Sequence, residues 1–223
     1  MDGTETGIRL LSLDRGDGEA RLALSDGTVL ELATSSLPPG LPACGEILPS
    51  ALLAALHEAA VRKQIARRLF RELDRRLRTR ADLRSRLLAA GFPPGPVDEV
   101  LERFAETGVH SDRRFAEAWC RDTLRAKPVG RRLLADRLAR TGVPPALAAA
   151  VAAEQLPPGD EAELARTAAR SWWRRQRGDA DARALAKGQR FLIGRGFPPG
   201  TAADAVRATV PARRVDEDGE DPA

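Results

Sequence analysis

His110, Ser111 and Asp112 stand side by side in HSDRRFAEAW (110–119), bringing together the three side-chain types of a nucleophilic hydrolase. Consecutive positions at a helix start fan out around the axis and do not converge on one substrate atom, and a nucleophile also needs a base and an oxyanion site from elsewhere. The simpler reading is structural. Ser111 is expected at an N-cap, Asp112 as a first-turn acid facing the positive end of the helix dipole, and Phe115 and Trp119 as the first buried pair. Two cysteines, Cys44 and Cys120, and two histidines, His57 and His110, offer no metal-ligand spacing, so no metal is expected. Both cysteines read as reduced fillers of apolar positions. GxxxxGK[ST], HExxH and GxSxG are absent, and GDGEAR (16–21) lacks the third glycine of a nucleotide loop. The chain is therefore expected to hold no catalytic residue and no cofactor.

The chemistry that the sequence does offer is cationic. Net charge is +4, but residues 1–50 carry 3 basic against 8 acidic side chains, residues 51–210 carry 31 against 19, and residues 211–223 carry 2 against 5. A basic body between acidic ends suits a polyanion or an acidic protein surface. Within it, basic residues cluster three times: nine against two acids over 60–80, seven against two over 121–140, and nine against two over 166–195. The competing explanation is that arginine stems cover core edges while their heads stay in water. Phe70, Phe104, Phe115, Phe191 and Trp119 fall at helical apolar positions, so contact with single-stranded DNA is expected to be weak, electrostatic and sequence-indifferent. Trp172-Trp173 stands apart, because adjacent helical positions do not share a face; either one ring is an exposed protein-contact anchor or both are buried between repeats.

Three copies of one punctuation mark organise these clusters. GFPPG occurs at 91–95 and again at 196–200, with GVPPA at 142–146. Leu83, Leu87 and Leu88 line one face of the helix before the first copy, Gly91 is placed to close it in the left-handed conformation, and Phe92 then packs back on Leu87. Gly142, Val143 and Leu138 repeat the arrangement, as do Gly196, Phe197 and Leu192. The second proline of each pair suits the first turn of the next helix, where its missing N–H costs nothing. Thr79 and Asp82 in TRAD form a capping box, and KPVG (127–130) breaks two helices. Spacings of 51 and 54 residues leave room for three helices each.

The fold class expected is mainly α: tandem three-helix repeats forming an elongated curved rod, preceded by a small antiparallel β module. Residues 1–36 carry that module, as strands near 8–13, 19–24 and 28–33, with Asp26-Gly27 as a two-residue type I′ turn. Residues 37–50 read as a proline-rich linker, 51–108, 109–157 and 158–210 as helical repeats 1 to 3, and 211–223 as an acidic disordered tail. No apolar stretch is long enough to span a membrane and the N-terminus lacks signal-peptide character, so a cytoplasmic monomer is expected.

On these residues the chain resembles the RecX recombination regulators. LDRRLRTRADLRSRLLAAGF (73–92) is similar to that family's first repeat through Leu73, Arg76, Arg78, Thr79, Asp82, Leu83, Gly91 and Phe92. GVHSDRRFAEAW (108–119) resembles its Gly-x-x-Asp-Asp-x-x-Phe-Ala element through Gly108, Asp112, Phe115 and Ala116, with Ser111 in place of the first acid. KPVGRRLLADRLARTGV (127–143) is similar to the Pro-x-Gly-Arg-Arg helix of the second repeat, with Gly130 at its start and Gly142 at its stop, and Gly196 closes the third. The resemblance implies a non-enzymatic modulator that binds the RecA recombinase filament on DNA, lies along its helical groove, and inhibits ATP hydrolysis and strand exchange. It makes Arg76, Arg78, Arg84, Arg113, Arg114, Lys127, Arg131, Arg132, Arg174 and Arg175 the candidates for a filament or DNA surface. A helical regulator acting directly on duplex DNA is the alternative, although no helix presents a distinguished base-reading set.

Overall fold

The computed structural model describes residues 7–176 and 181–210; the acidic segment 211–223 and its expected disorder lie outside them. The chain divides into two compact units, Met1–Ser111 and Asp112–Ala223.

The first unit opens with three antiparallel strands, β1 (Leu10–Gly16), β2 (Glu19–Leu24) and β3 (Val29–Ala33), in that order across the sheet. Alternation sets the faces: Ala20, Leu22 and Leu24 on β2 and Leu30 and Leu32 on β3 are buried, while Glu19, Arg21 and Glu31 are not. The two-residue turn falls at Asp17-Gly18, both with positive φ and flanked by the pair Gly16↔Glu19, as type I′ geometry requires. At Asp26-Gly27 only Gly27 has positive φ, and Leu24 N–H donates to the Thr28 carbonyl at 2.9 Å. That loop spans three residues instead of two, because the Asp26 carboxylate is occupied in accepting the Thr28 N–H at 2.9 Å.

Residues 37–50 do more than connect. Leu10 N–H donates to the Glu46 carbonyl, Leu48 N–H donates to the Ile8 carbonyl, and Leu37, Leu41 and Leu48 join the core of the sheet. Helix α1 (Ser50–Arg75) then serves two cores: Leu56, Ala59 and Ala60 complete the one under the sheet, and Ile65 and Leu69 belong to the next. With α2 (Arg80–Ala89) and α3 (Pro94–Glu106), its second half makes the first three-helix repeat around Leu83, Leu87, Val97, Leu101 and Phe104.

The second unit contains α4 (Asp112–Ala126), α5 (Arg131–Ala139) and α6 (Pro145–Gln155), followed by α7 (Pro158–Trp173), α8 (Ala182–Gly194) and α9 (Pro199–Ala208). The mainly helical, tandem three-helix architecture behind a small antiparallel sheet is the one expected. Each joint closes with its glycine in the left-handed region, and two of the three add the predicted back-bond. Gly91, Gly142 and Gly196 have φ of 86°, 98° and 87°. Phe92 N–H reaches the Leu87 carbonyl and Phe197 N–H the Leu192 carbonyl, both at 3.2 Å, while Gly91 and Gly196 donate to Leu88 and Ile193, the paired bonds of a Schellman motif. At the middle joint the Leu138 carbonyl accepts instead from the Thr141 N–H at 3.0 Å and hydroxyl at 2.6 Å. Pro94, Pro145 and Pro199 each start a helix, and Pro158 does so at a fourth proline pair.

Candidate interaction surface

The basic side chains sort into three kinds according to what the helices place beside them. Arg78 is 8 % exposed and is clamped between Glu72 at 2.9 Å and Asp82 at 2.8 Å, just ahead of the Thr79 cap, whose hydroxyl accepts the Asp82 N–H at 3.2 Å. His110 is buried beside it, with Nε2 2.9 Å from the Arg78 carbonyl. Arg131 is half-buried and engaged within the fold: Glu161, 2 % exposed, accepts the Arg131 N–H at 2.8 Å and its Nε–H at 2.6 Å, capping α5 from the third repeat. Arg78 and Arg131 are both expected on the surface; Arg78 is instead buried against Glu72, which Arg68 also reaches at 3.5 Å, and Arg131 is engaged by the buried Glu161.

Arg84 and Arg113 occupy an intermediate position. Arg84 forks onto Asp98 at 2.6 and 3.0 Å, holding α2 to α3 and keeping the Asp98 carboxyl below the usual carboxylate range. Arg113 bridges Glu117 at 3.1 Å and Glu154 across α4 and α6. Hydrogen bonds from Arg78 and Arg86 likewise outweigh burial and hold Asp82 low. Arg76, Arg114, Lys127, Arg132, Arg174 and Arg175 are exposed, and they are the members of the expected set that the fold offers to solvent.

Other expectations change in detail. Phe115 and Trp119 are half-buried, and it is Ala116 and Cys120 of α4 that are wholly buried. Burial pushes the Cys120 thiol up to about 11, whereas Cys44 is exposed and fills no core. Trp172 and Trp173 are both buried, at 5 and 6 % exposure, and no exposed anchor exists there. Helices α8 and α9 both pack on α7, so each ring has a side to fill; the rings meet edge-on at 4.7 Å, and Trp173 Nε1 donates to the Val206 carbonyl at 3.3 Å. Small residues at Ala165, Ala168, Ala169, Gly188, Ala202 and Ala205 make this room, and they were the signal in the sequence. Phe70, expected at a core position, is 54 % exposed on α1, leaning on Phe104 at 4.9 Å.

Repeats 2 and 3 touch through backbone. Gly130 N–H donates to the Arg195 carbonyl at 2.9 Å, Arg195 donates to the Pro128 carbonyl at 3.2 Å, and a Cβ on Gly130 would lie 2.3 Å from the Gly196 carbonyl carbon. A side chain at either glycine is excluded. Among the described residues no group of three or more His, Cys, Asp or Glu could hold a metal, and no helix is long and apolar enough to cross a membrane.

Tandem three-helix domains, closed by glycine-proline joints and carrying many exposed arginines, define a small helical-repeat protein. Residues 67–104 match the RecX first three-helix domain, and residues 111–151 match the RecX second three-helix domain. A Corynebacterium efficiens protein named "Regulatory protein RecX" is 33% identical over 158 residues, 69% of this chain and 75% of that one. One of the same name from Streptomyces coelicolor is 36% identical over 145 residues, 65% of this chain and 73% of that one. The solved "Crystal structure of regulatory protein RecX" superposes with a TM-score of 0.73 at 21% identity, over 90% of this chain and 99% of that one. The chain belongs to the RecX family.

Proposed function

We propose that this protein binds RecA recombinase filaments on DNA and inhibits their ATP hydrolysis, strand exchange and growth, thereby modulating recombinational repair and the SOS response. The observation that carries the reading is the match of two successive three-helix domains to those of RecX, in order, the first spanning the joint at Gly91 and the second the joint at Gly142. The chemistry is compatible with it. Exposed Arg76, Arg114, Lys127, Arg132, Arg174 and Arg175 are distributed over all three repeats, and weak contacts repeated along a filament add up where any single one would not. On this reading the protein acts in the cytoplasm, as a monomer, by occupying a surface and without chemistry of its own. The test is a RecA ATPase and strand-exchange assay on single-stranded DNA with purified protein. Inhibition at well under one molecule per RecA is expected, and no effect at stoichiometric excess would remove the reading.

A further inference from the structure

We propose that the outward face of the second half of α1 is a docking track for single-stranded nucleic acid, separate from the surface residues considered so far. The inference deepens the proposed function by assigning its nucleic-acid contact to one helix. Of the nine basic residues between 60 and 80, several are committed within the fold: Arg78 is buried, Arg62 lies against Glu58 and Glu99, Lys63 against Glu19, and Arg80 against Glu102. Arg67, Arg71 and Arg75 remain exposed at i, i+4 and i+8, with Arg68 beside them. Arg67 and Arg68 reach Glu31 at 3.0 Å and Glu72 at 3.5 Å, yet their side chains stay 64 and 46 % exposed, so those pairs are open to exchange for a phosphate.

The geometry of the stripe selects the ligand. At 1.5 Å per residue the three guanidiniums rise along the helix in steps of about 6 Å. Charges spaced along a line match a linear polyanion, whereas a small anion requires charges that converge on one point. All are arginines, whose planar forks fit phosphate oxygens. Beside the stripe run two depressions of about 250 and 320 Å³ that share Gln64 and Arg67. The second is lined by Arg67, Arg68 and Arg71 on one side and by Ala90 and the half-buried Phe92 of the first joint on the other, so the exposed part of that ring borders the arginine row, where a base can lean on it. A groove with a ring on its wall favours a flexible strand over the acidic face of a folded protein.

Binding of fluorescein-labelled oligo-dT, followed by anisotropy across a salt series and without any recombinase, tests the assignment. Arg67→Gln/Arg71→Gln/Arg75→Gln removes three exposed charges from a helix that Gln tolerates. Affinity at low salt should fall about tenfold or more, and the slope of log K against log salt should become shallower by about 2, at roughly 0.7 per phosphate contact. Arg67→Lys/Arg71→Lys/Arg75→Lys should keep the slope, and Arg121→Gln/Arg125→Gln/Arg137→Gln, an equal loss of charge from exposed positions in the second unit, should leave binding unchanged. Equal losses from the two Gln triples, an unaltered slope, or no oligo-dT binding by the wild type overturns the track. A variant that binds oligo-dT normally but no longer inhibits RecA shows that the stripe meets protein instead, which overturns the track while leaving the proposed function standing. A wild type that binds oligo-dT through the stripe without inhibiting RecA does the reverse.

Discussion

Gly130→Ala should unfold the second unit far more readily than its backbone conformation implies. At φ −78° and ψ 161° alanine is fully at ease, so no torsional penalty arises. The cost is steric. The new methyl would lie 2.3 Å from the carbonyl carbon and oxygen of Gly196 and 2.4 Å from the Phe197 nitrogen, all backbone atoms pinned by a Schellman turn. Relief requires the α5 start and the third joint to separate by about 1 Å, an overpacking cost of about 1–3 kcal/mol. That movement also strains the Gly130–Arg195 hydrogen bond and the Glu161 cap on Arg131, each worth about 1 kcal/mol. The sum is about 3–5 kcal/mol, or a urea midpoint shift of about 2–3 M for a slope near 1.5 kcal/mol/M. All three tryptophans, Trp119, Trp172 and Trp173, lie in this unit, so intrinsic fluorescence reports its unfolding alone. Gly91→Ala is the matched control, since its Cβ meets nothing within 4 Å and only the positive φ is penalised, by about 1–2 kcal/mol in the first unit. Its loss should register in far-ultraviolet circular dichroism and leave the tryptophan transition in place. A Gly130→Ala tryptophan midpoint within about 0.3 M of wild type would refute the close backbone approach.

Glu161→Ala should cost about 3 kcal/mol in the same fluorescence assay, because it strips the partner from a cap at a buried site, whereas Arg132→Ala, its exposed neighbour, should stay within about 0.5 kcal/mol. Arg78→Ala should destabilise the first unit by about 2 kcal/mol by removing the nearer of the two partners of buried Glu72 and the clamp on Asp82, and Arg76→Ala should be silent in thermal melts; equal effects would contradict the burial of Arg78. In thiol titration with a disulfide reagent at pH 8, Cys44 should react at once and Cys120 only after denaturation. Since the folded Cys120 thiol is raised to about 11 and an unfolded one ionises near about 8.5, its contribution to stability is complete below about pH 8.5 and is lost as pH climbs toward 11, and Cys120→Ala should abolish that loss. Asp82 is depressed, so the opposite sign applies: its contribution is present above about pH 4 and disappears as pH falls further, and acid melts of Asp82→Asn should lack that component.

The joints were legible because everything that specifies them is local. Glycine, the apolar residue after it and two prolines lie within five positions, and the hydrogen bonds they make span six residues at most. The two-residue hairpin at Asp17-Gly18 was equally local, and the Asp-Gly pair at 26–27 was misassigned only because an Asx contact to Thr28 competes with the tighter turn. What the sequence hid depends on partners distant along the chain. Arg131 looks like any other surface arginine until Glu161 is brought against it from 30 residues away, and Arg78, although its partners Glu72 and Asp82 are near in sequence, is buried only once α1 turns into α2. The tryptophan pair leaves exposure and burial equally open in the sequence, because one helix face cannot bury both rings, and it is the packing of α8 and α9 on α7 that decides for burial. The 37–50 segment was read by its prolines, while its leucines decided where it went.

Helix α1 contributes to the core beneath the sheet with its first half and to the first three-helix repeat with its second, with no glycine or proline between Ser50 and Arg75. It therefore acts as a stiff beam with no hinge, so force or binding energy applied at the strands is delivered directly to the first repeat. A truncation starting at residue 67, where the match to the first RecX domain begins, would sever that beam, remove Ile65 from under Leu83 and Leu87, and leave the fragment without part of its own core. The β module and the first repeat are thus mechanically one piece, and neither can be excised cleanly from the other.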